Sequence, residues 1–281
     1  MLTSPFRLLA FDLDGTLLER DGTLAEASAN FLQGLARAGV ELVAATGRRL
    51  WSALPHLHRA HVGGSCVVHN GAMVADVARA EPLLVRPLVP EMVRQLVRRV
   101  EERGFAPLVF TSAPRGPGEV LARRDAADPS GYRAWYFRYA AGHVTLLDEL
   151  AAAPFEGALR VVVHGEREAL ADLVAAAEAA CGVSLRGFVQ RETTVATWRA
   201  EFLLREASKW SGVAWVAKRL GIAAAEIVAV GDEANDVELL EAAGHSLAAP
   251  GASEAARVSA REALDGDGPR AVVRALERVF S

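Results

Sequence analysis

Lysine is nearly absent from this chain: 29 arginines stand beside only two lysines, Lys209 and Lys218. So strong a bias reads as the imprint of a GC-rich genome, and it makes each surviving lysine a position to question. Cysteine is as scarce. Cys66 and Cys181 lie far apart, which excludes a disulfide framework and a zinc-ligand pattern and predicts two buried thiols. Aromatic residues are 6% of the chain, and all three tyrosines fall in one stretch, GYRAWYFRY at 131–139. No apolar run approaches the roughly 20 residues of a membrane span. Residues 1–6, MLTSPF, pass directly into a strand pattern without an export signal, so a cytoplasmic location and no membrane partner are expected. With 31 basic and 35 acidic residues the net charge is −4, which speaks against nucleic acid as a partner. A Gly-x-x-x-x-Gly-Lys loop is missing, which excludes an NTP motor of that type.

What is present is enough for two domains: 281 residues, 51% of them hydrophobic, with a mean hydropathy of +0.16. The first third alternates strand and helix. Residues 7–12 read as a buried strand, 24–39 as an amphipathic helix ended by Gly39, and 40–46 as a second strand. Residues 48–60 are helical at least to Pro55, and 65–72 form a strand running into a turn. The last third repeats the rhythm, with helices at 211–221, 235–244 and 268–280 and strands at 226–232 and 245–250. The middle breaks it. A helix at 90–103, a Pro/Gly-rich stretch at 112–119, the aromatic cluster, a strand at 159–165, an Ala-rich helix at 166–180 and strands near 184–190 and 193–198 suggest α+β. The expectation is an α/β protein: a Rossmann-like doubly wound parallel sheet core, residues 1–82 and 199–281, with an inserted α+β cap domain, residues 83–198.

In an open parallel sheet, ligands gather at the carboxyl ends of the strands. The first strand ends in Asp12-Leu13-Asp14-Gly15-Thr16, the second in Thr46-Gly47-Arg48, and the late strand in Gly231-Asp232, followed by Asn235 and Asp236. Lys209 stands just before the helix that feeds the late strand. Four carboxylates, a hydroxyl, an amide and an ammonium therefore meet at one edge. Carboxylates packed together repel, and a hard cation such as Mg2+ relieves them. An Asp held beside that ion stays ionised and can attack phosphorus, while a second Asp two residues on can protonate the leaving oxygen and then activate water. Thr46 and Lys209 suit the equatorial oxygens of a transferring phosphoryl group. A compact ammonium fits beside a carboxylate where the arginine fork is bulkier, a reason for lysine to persist here.

FDLDGTLL, ATGR, the solitary Lys209 and GDEANDVELL, in that order, resemble the four signature motifs of the haloacid-dehalogenase (HAD) superfamily. The insertion between the second and third motifs, HNGA at 69–72 and SKWSGVAWVAKRLGI at 208–222 resemble its Cof-type, C2-capped phosphatase branch. The likeness covers the core; the cap matches in placement more than in sequence. The resemblance implies Asp12 as nucleophile, Asp14 as general acid/base, and Thr46 and Lys209 on the phosphoryl group, with Gly47, Arg48 and Asn235 lining the substrate. It implies Mg2+ held by Asp12, the Asp14 carbonyl and Asp232, with Asp236 supporting the shell. The implied activity is phosphoric monoester hydrolysis through an aspartyl-phosphate. The substrate is a small phosphorylated metabolite, with sugar phosphates and phosphorylated sugar-acid conjugates ahead of nucleotide or cofactor phosphates, and the enzyme a monomer or homodimer whose cap closes over the site. Trp210 follows Lys209 where branch members carry Gly, which changes the local loop rather than the charge.

Two rivals share these residues: a phosphomutase handing the phosphoryl group to a substrate hydroxyl, and a receiver-like phospho-accepting switch. Asp14 as a built-in acid/base and the large cap oppose the switch. Other features read more plainly. His56, His58 and His61 do not share one helix face and make a poor zinc site. GGSC at 63–66 lacks the Gly-x-Ser-x-Gly pattern. Asn70-Gly71 reads as a tight turn and Lys218 as solvated surface. The aromatic cluster reads as core packing, and Arg115, Arg123, Arg124, Arg133 and Arg138 as a solvated face.

Overall fold

The computed structural model describes residues 4–113, 115–192 and 195–281. Residue 114, in the Pro/Gly-rich stretch, and residues 193–194, at the start of the strand expected near 193–198, lie outside the described residues. The chain divides into two compact units, Met1–Leu84 with Ala207–Ser281, and Val85–Glu206. It runs β1 (Leu8–Phe11), α1 (Glu26–Arg37), β2 (Glu41–Ala44), α2 (Leu50–Arg59), β3 (Ser65–Val68), β4 (Met73–Asp76) and β5 (Glu81–Val85). Next come α3 (Pro90–Glu102), β6 (Leu108–Thr111), β7 (Val120–Arg123), α4 (Tyr132–Tyr139), β8 (Val144–Leu147), β9 (Ala158–Gly165), α5 (Arg167–Cys181), β10 (Leu185–Glu192) and β11 (Thr197–Leu204). The chain then returns to the first unit as α6 (Lys209–Leu220), β12 (Ile227–Gly231), α7 (Val237–Ala242), β13 (His245–Ala248), α8 (Glu254–Ser259), β14 (Glu262–Ala263) and α9 (Gly268–Phe280).

The first unit is built on a parallel sheet ordered β14-β13-β12-β1-β2. A strand buried on both faces needs an unbroken apolar run, and β1, Leu-Leu-Ala-Phe, is buried throughout. Its Leu8 and Ala10 join Val43, Ala229 and Ile227 in a core closed by Val213 and Val216 of α6, Leu239 and Leu240 of α7 and Ala256 of α8, while α1 packs with α9. Truncating a core side chain such as Phe11 to Ala would cost about 3–5 kcal/mol. A second sheet, β3-β4-β5, is tied to the segment after β2 by a parallel bridge between Ala45 and Val67. Gly212 lets α6 lie tight on β3, because a Cβ there would fall 2.5 Å from Val67 Cγ1.

The second unit carries a six-stranded sheet ordered β10-β11-β9-β6-β7-β8, antiparallel except for the β7–β8 pair. Val161, Val163, Ala200 and Phe202 pack with α3 and α5. Phe110 and Val162 pack with Tyr132 and Tyr136 of α4, so the aromatic cluster is a core helix; Tyr139 is exposed. Beside these aromatics lies a buried ionic network. Arg160 Nη1 donates to Glu201 Oε2 at 2.6 Å, and Arg199 donates to Glu201 Oε1 at 2.9 Å and to Glu192 Oε2 at 2.8 Å. His164 is buried there with its ring stacked 3.6 Å from that of Tyr132.

Several expectations shift. The division falls after Glu206 rather than after residue 198, because alternating Thr-Trp-Arg-Ala-Glu-Phe-Leu-Leu continues β11 against β9 and β10. Arg133 is buried, not solvated, with its guanidinium donating to the Arg123 carbonyl. Cys181 is half-buried at the end of α5, while Cys66 is buried. Among the described residues no helix is long and apolar enough to cross a membrane.

Candidate active site

Three strand ends and one helix start place the polar residues. Asp12 follows β1 directly, its amide donating to Val230 O of β12 at 3.0 Å. The chain then turns tightly, with the amides of Leu17 and Leu18 both returning to Leu13 O. Gly15 sits in this turn at φ +75°, and a Cβ there would lie 2.1 Å from Asp232 Oδ2. Glycine is therefore required twice over, by the backbone and by the carboxylate pressed against it. Thr16, fully buried, donates to Asp232 Oδ1 at 3.2 Å. Gly231 has a matching role at the end of β12, since a Cβ there would overlap the Asp236 carboxyl.

Lys209 is the first residue of α6, whose start is set by a capping box between Ser208 and Ser211. Its ammonium is fully buried, 2.7 Å from Asp236 Oδ1 and 3.1 Å from Asp12 Oδ2. Burial alone would lower its pKa, but the two carboxylates raise it, so it stays charged. Asp236 Oδ2 accepts from the amides of Asp232 and Glu233. Carboxylate oxygens of Asp12, Asp232 and Asp236 lie within 4.8 Å of one another. Burial and mutual repulsion raise the pKa of both Asp12 and Asp232 above the ordinary carboxylate value. Asp12 Oδ1 is buried without a hydrogen-bond partner. An orphaned oxygen among three crowded carboxylates is the donor set a hard divalent cation completes, so the residues fit such an ion.

The remaining expected residues lie in the same unit. Thr46 is buried, its hydroxyl accepting from the Arg48 amide at 3.1 Å. Arg48 forms a two-pronged pair with Asp14, Nε to Oδ2 at 2.7 Å and Nη2 to Oδ1 at 2.6 Å. Desolvation works to raise the Asp14 carboxyl, but Arg48 prevails and holds it below its usual value. The Asp14 side chain is thus engaged with Arg48, outside the three-carboxylate cluster. Asn235 Nδ2 donates to Asn70 Oδ1 at 2.9 Å.

Thr16 and His56 have roles here that the sequence does not assign them, and Asn70, read from the sequence as part of a tight turn, lies against Gly47 and Asn235. His56 Nε2 lies 2.9 Å from Arg48 Nη1 and supports the guanidinium from α2 instead of joining a zinc site.

The model of the haloacid dehalogenase-like hydrolases matches residues 9–276 of this chain. The HMP-PP phosphatase of Yersinia pestis (strain Pestoides F) is 29% identical over 242 residues, covering 86% of this chain and 83% of that protein. A HAD phosphatase of Bacteroides thetaiotaomicron, BT1666, superposes at a TM-score of 0.79 with 20% identity, covering 98% of this chain and 95% of that one. The HAD subclass IIB sugar phosphatase BT4131 superposes at 0.78 with 16% identity, covering 97% and 98%. At those identities the structural likenesses speak to the fold. With its family matched over nearly the whole length, the chain belongs to the haloacid dehalogenase-like hydrolases and is a phosphatase, a phosphoric monoester hydrolase.

Proposed function

We propose that this phosphatase is Mg2+-dependent and hydrolyses a small phosphorylated metabolite through an aspartyl-phosphate on Asp12, with sugar phosphates and phosphorylated sugar-acid conjugates as the favoured substrates. One observation carries the reading. Asp12 keeps Oδ2 on the Lys209 ammonium while its other oxygen is buried and unpartnered among two further carboxylates. Asp12, Asp232 and the Asp14 carbonyl would hold the ion, with Asp236 supporting them. The ion supplies positive charge that lets a phosphate enter beside carboxylates.

Asp12 attacks phosphorus as a carboxylate, and the bond to the leaving oxygen breaks as Asp14 gives that oxygen a proton. Thr46, Gly47 and the Lys209 ammonium hold the equatorial oxygens, with Arg48 and Asn235 at the edge of the pocket. Asp14, now ionised, takes a proton from the water that cleaves the aspartyl-phosphate, releasing inorganic phosphate and restoring Asp12. Arg48 favours the ionised Asp14 needed for this second half. The inserted unit, Val85–Glu206, selects the substrate.

The test is phosphate release from a panel of sugar phosphates, phosphorylated sugar acids and HMP-PP, the last because the Yersinia relative is named for it. Release that needs Mg2+, stops with EDTA and is lost in Asp12→Asn is expected. Release that survives either EDTA or Asp12→Asn would overturn the reading.

A further inference from the structure

Immediately after β3 the backbone does something costly. His69, Asn70 and Gly71 take φ values of +50°, +54° and +92°, three successive left-handed residues of which two carry a Cβ. All three are buried. The left-handed region is disfavoured for residues with a Cβ, and such strain persists only where surrounding contacts impose it.

The contacts are specific, and each goes to a different part of the site. The His69 amide donates to Arg48 O at 2.9 Å, and the Asn70 amide to Thr46 O at 3.1 Å, which fastens the turn to the loop bearing Thr46, Gly47 and Arg48. The Asn70 side chain lies flat on Gly47, where a Cβ would come within 3.0 Å of its Oδ1 and 3.3 Å of its Nδ2. That same Oδ1 accepts from Asn235 Nδ2. Gly71 presses against the carbonyl of Ser208, where a Cβ would fall 1.9 Å from the oxygen. Ser208 caps the helix whose first residue is Lys209. One three-residue turn therefore touches the Thr46 loop, the start of the Lys209 helix and Asn235.

We propose that Asn70 is a positioning residue of the phosphoryl-binding pocket: its side chain, held left-handed between Gly47 and Asn235, sets the distance between the Thr46–Arg48 loop and Asn235 across which a tetrahedral oxyanion is gripped. This rests on the phosphatase mechanism proposed above. Its action passes through Asn235 and Gly47.

Glycine makes the discriminating substitution. Asn70→Gly satisfies the left-handed backbone better than asparagine, so a residue serving only the turn would lose nothing by it. The expected result is a melting temperature equal to or above that of the unaltered protein, together with at least a tenfold fall in kcat/KM and at least fivefold weaker competitive inhibition by inorganic phosphate with Mg2+ present. Asn235→Ala and the double variant close the cycle. The double variant should fall no further than the worse single one, because both changes remove the same contact. Unchanged kcat/KM and phosphate inhibition in Asn70→Gly, or losses that simply multiply in the double variant, would overturn the assignment while leaving the phosphatase mechanism standing. An unaltered protein that neither releases phosphate from the panel nor binds inorganic phosphate would overturn the mechanism, and the assignment with it.

Discussion

Each unit of this protein buries a cluster of charged side chains, and the two clusters follow opposite rules. In the sheet of the second unit, Arg160 and Arg199 meet Glu192 and Glu201, two positive charges against two negative. There the arginines hold the buried Glu201 carboxyl below its ordinary value despite burial, and the neighbouring His164 is kept neutral, its pKa pushed down to about 3 by burial and by Arg199. At the carboxyl end of the parallel sheet, three carboxylates share a single ammonium, and two of them are forced upward. A balanced cluster is complete as it stands. An unbalanced one is finished by whatever brings positive charge, and stability is spent to keep it ready.

The largest way to separate the two is by function. Asp12→Asn should lower kcat by at least about a thousandfold, since it removes the proposed nucleophile, while Glu201→Ala should leave phosphate release in place. Stability should reverse the ranking. Glu201→Ala takes the carboxylate from Arg160 and one of two from Arg199, which keeps Glu192, and should destabilise by about 3–5 kcal/mol in urea unfolding. Replacing the Arg160–Glu201 pair together with Met and Leu should recover most of that loss, as expected when an ion pair gives way to apolar packing of similar volume.

Asp232→Asn sharpens the contrast from the other side. Without Mg2+ the variant should melt a few degrees higher, because a raised carboxylate has been made neutral. It should also lose the rise in melting temperature that Mg2+ gives the unaltered protein. Because Asp12 and Asp232 must shed protons to hold a cation, Mg2+ affinity should climb with pH, and calorimetry in buffers of different ionisation enthalpy should register proton release.

The last contrast, confined to acidic pH, concerns His164. Its folded value lies below the ordinary 6.5, so the unfolded chain binds the extra proton. Its stabilising share is complete above about pH 6.5 and is lost as pH falls toward 3, at up to about 1.4 kcal/mol per pH unit. The stability difference between His164→Phe and the unaltered protein should therefore change with pH only within that window.

What the sequence revealed and what it hid divide along the same line. Asp12, Asp14, Asp232 and Asp236 were legible because each closes or follows a β-strand whose apolar run is unmistakable, and chemistry at strand ends keeps its residue types together. The first unit's parallel sheet followed from the same strands. Asn70 was legible only as a turn residue beside Gly71: its partner Asn235 is 165 positions away, so the sequence gives no sign of their pairing. The Arg160–Glu201 network hid for a different reason. Arg199 and Glu201 alternate with apolar residues along β11 and look like a solvated face until the aromatics of α4 pack on the sheet, and Arg133 is buried on that same helix. The extension of β11 to Leu204 was missed because Glu-Phe-Leu-Leu is apolar enough to pass for a core strand of either unit.

The place of β1 in its sheet has a consequence for how the chain is made. Leu8 pairs with Glu41 on one side and with Ile227 on the other, so one neighbour is synthesised soon after β1 and the other only after the whole second unit. In between, the nascent protein carries an apolar strand with one bare hydrogen-bonding edge, while residues 85–206 emerge whole and able to condense around their own interior. Asp12 and Asp232 are separated along the chain by the whole second unit, so the two carboxylates can meet only after that unit has been made.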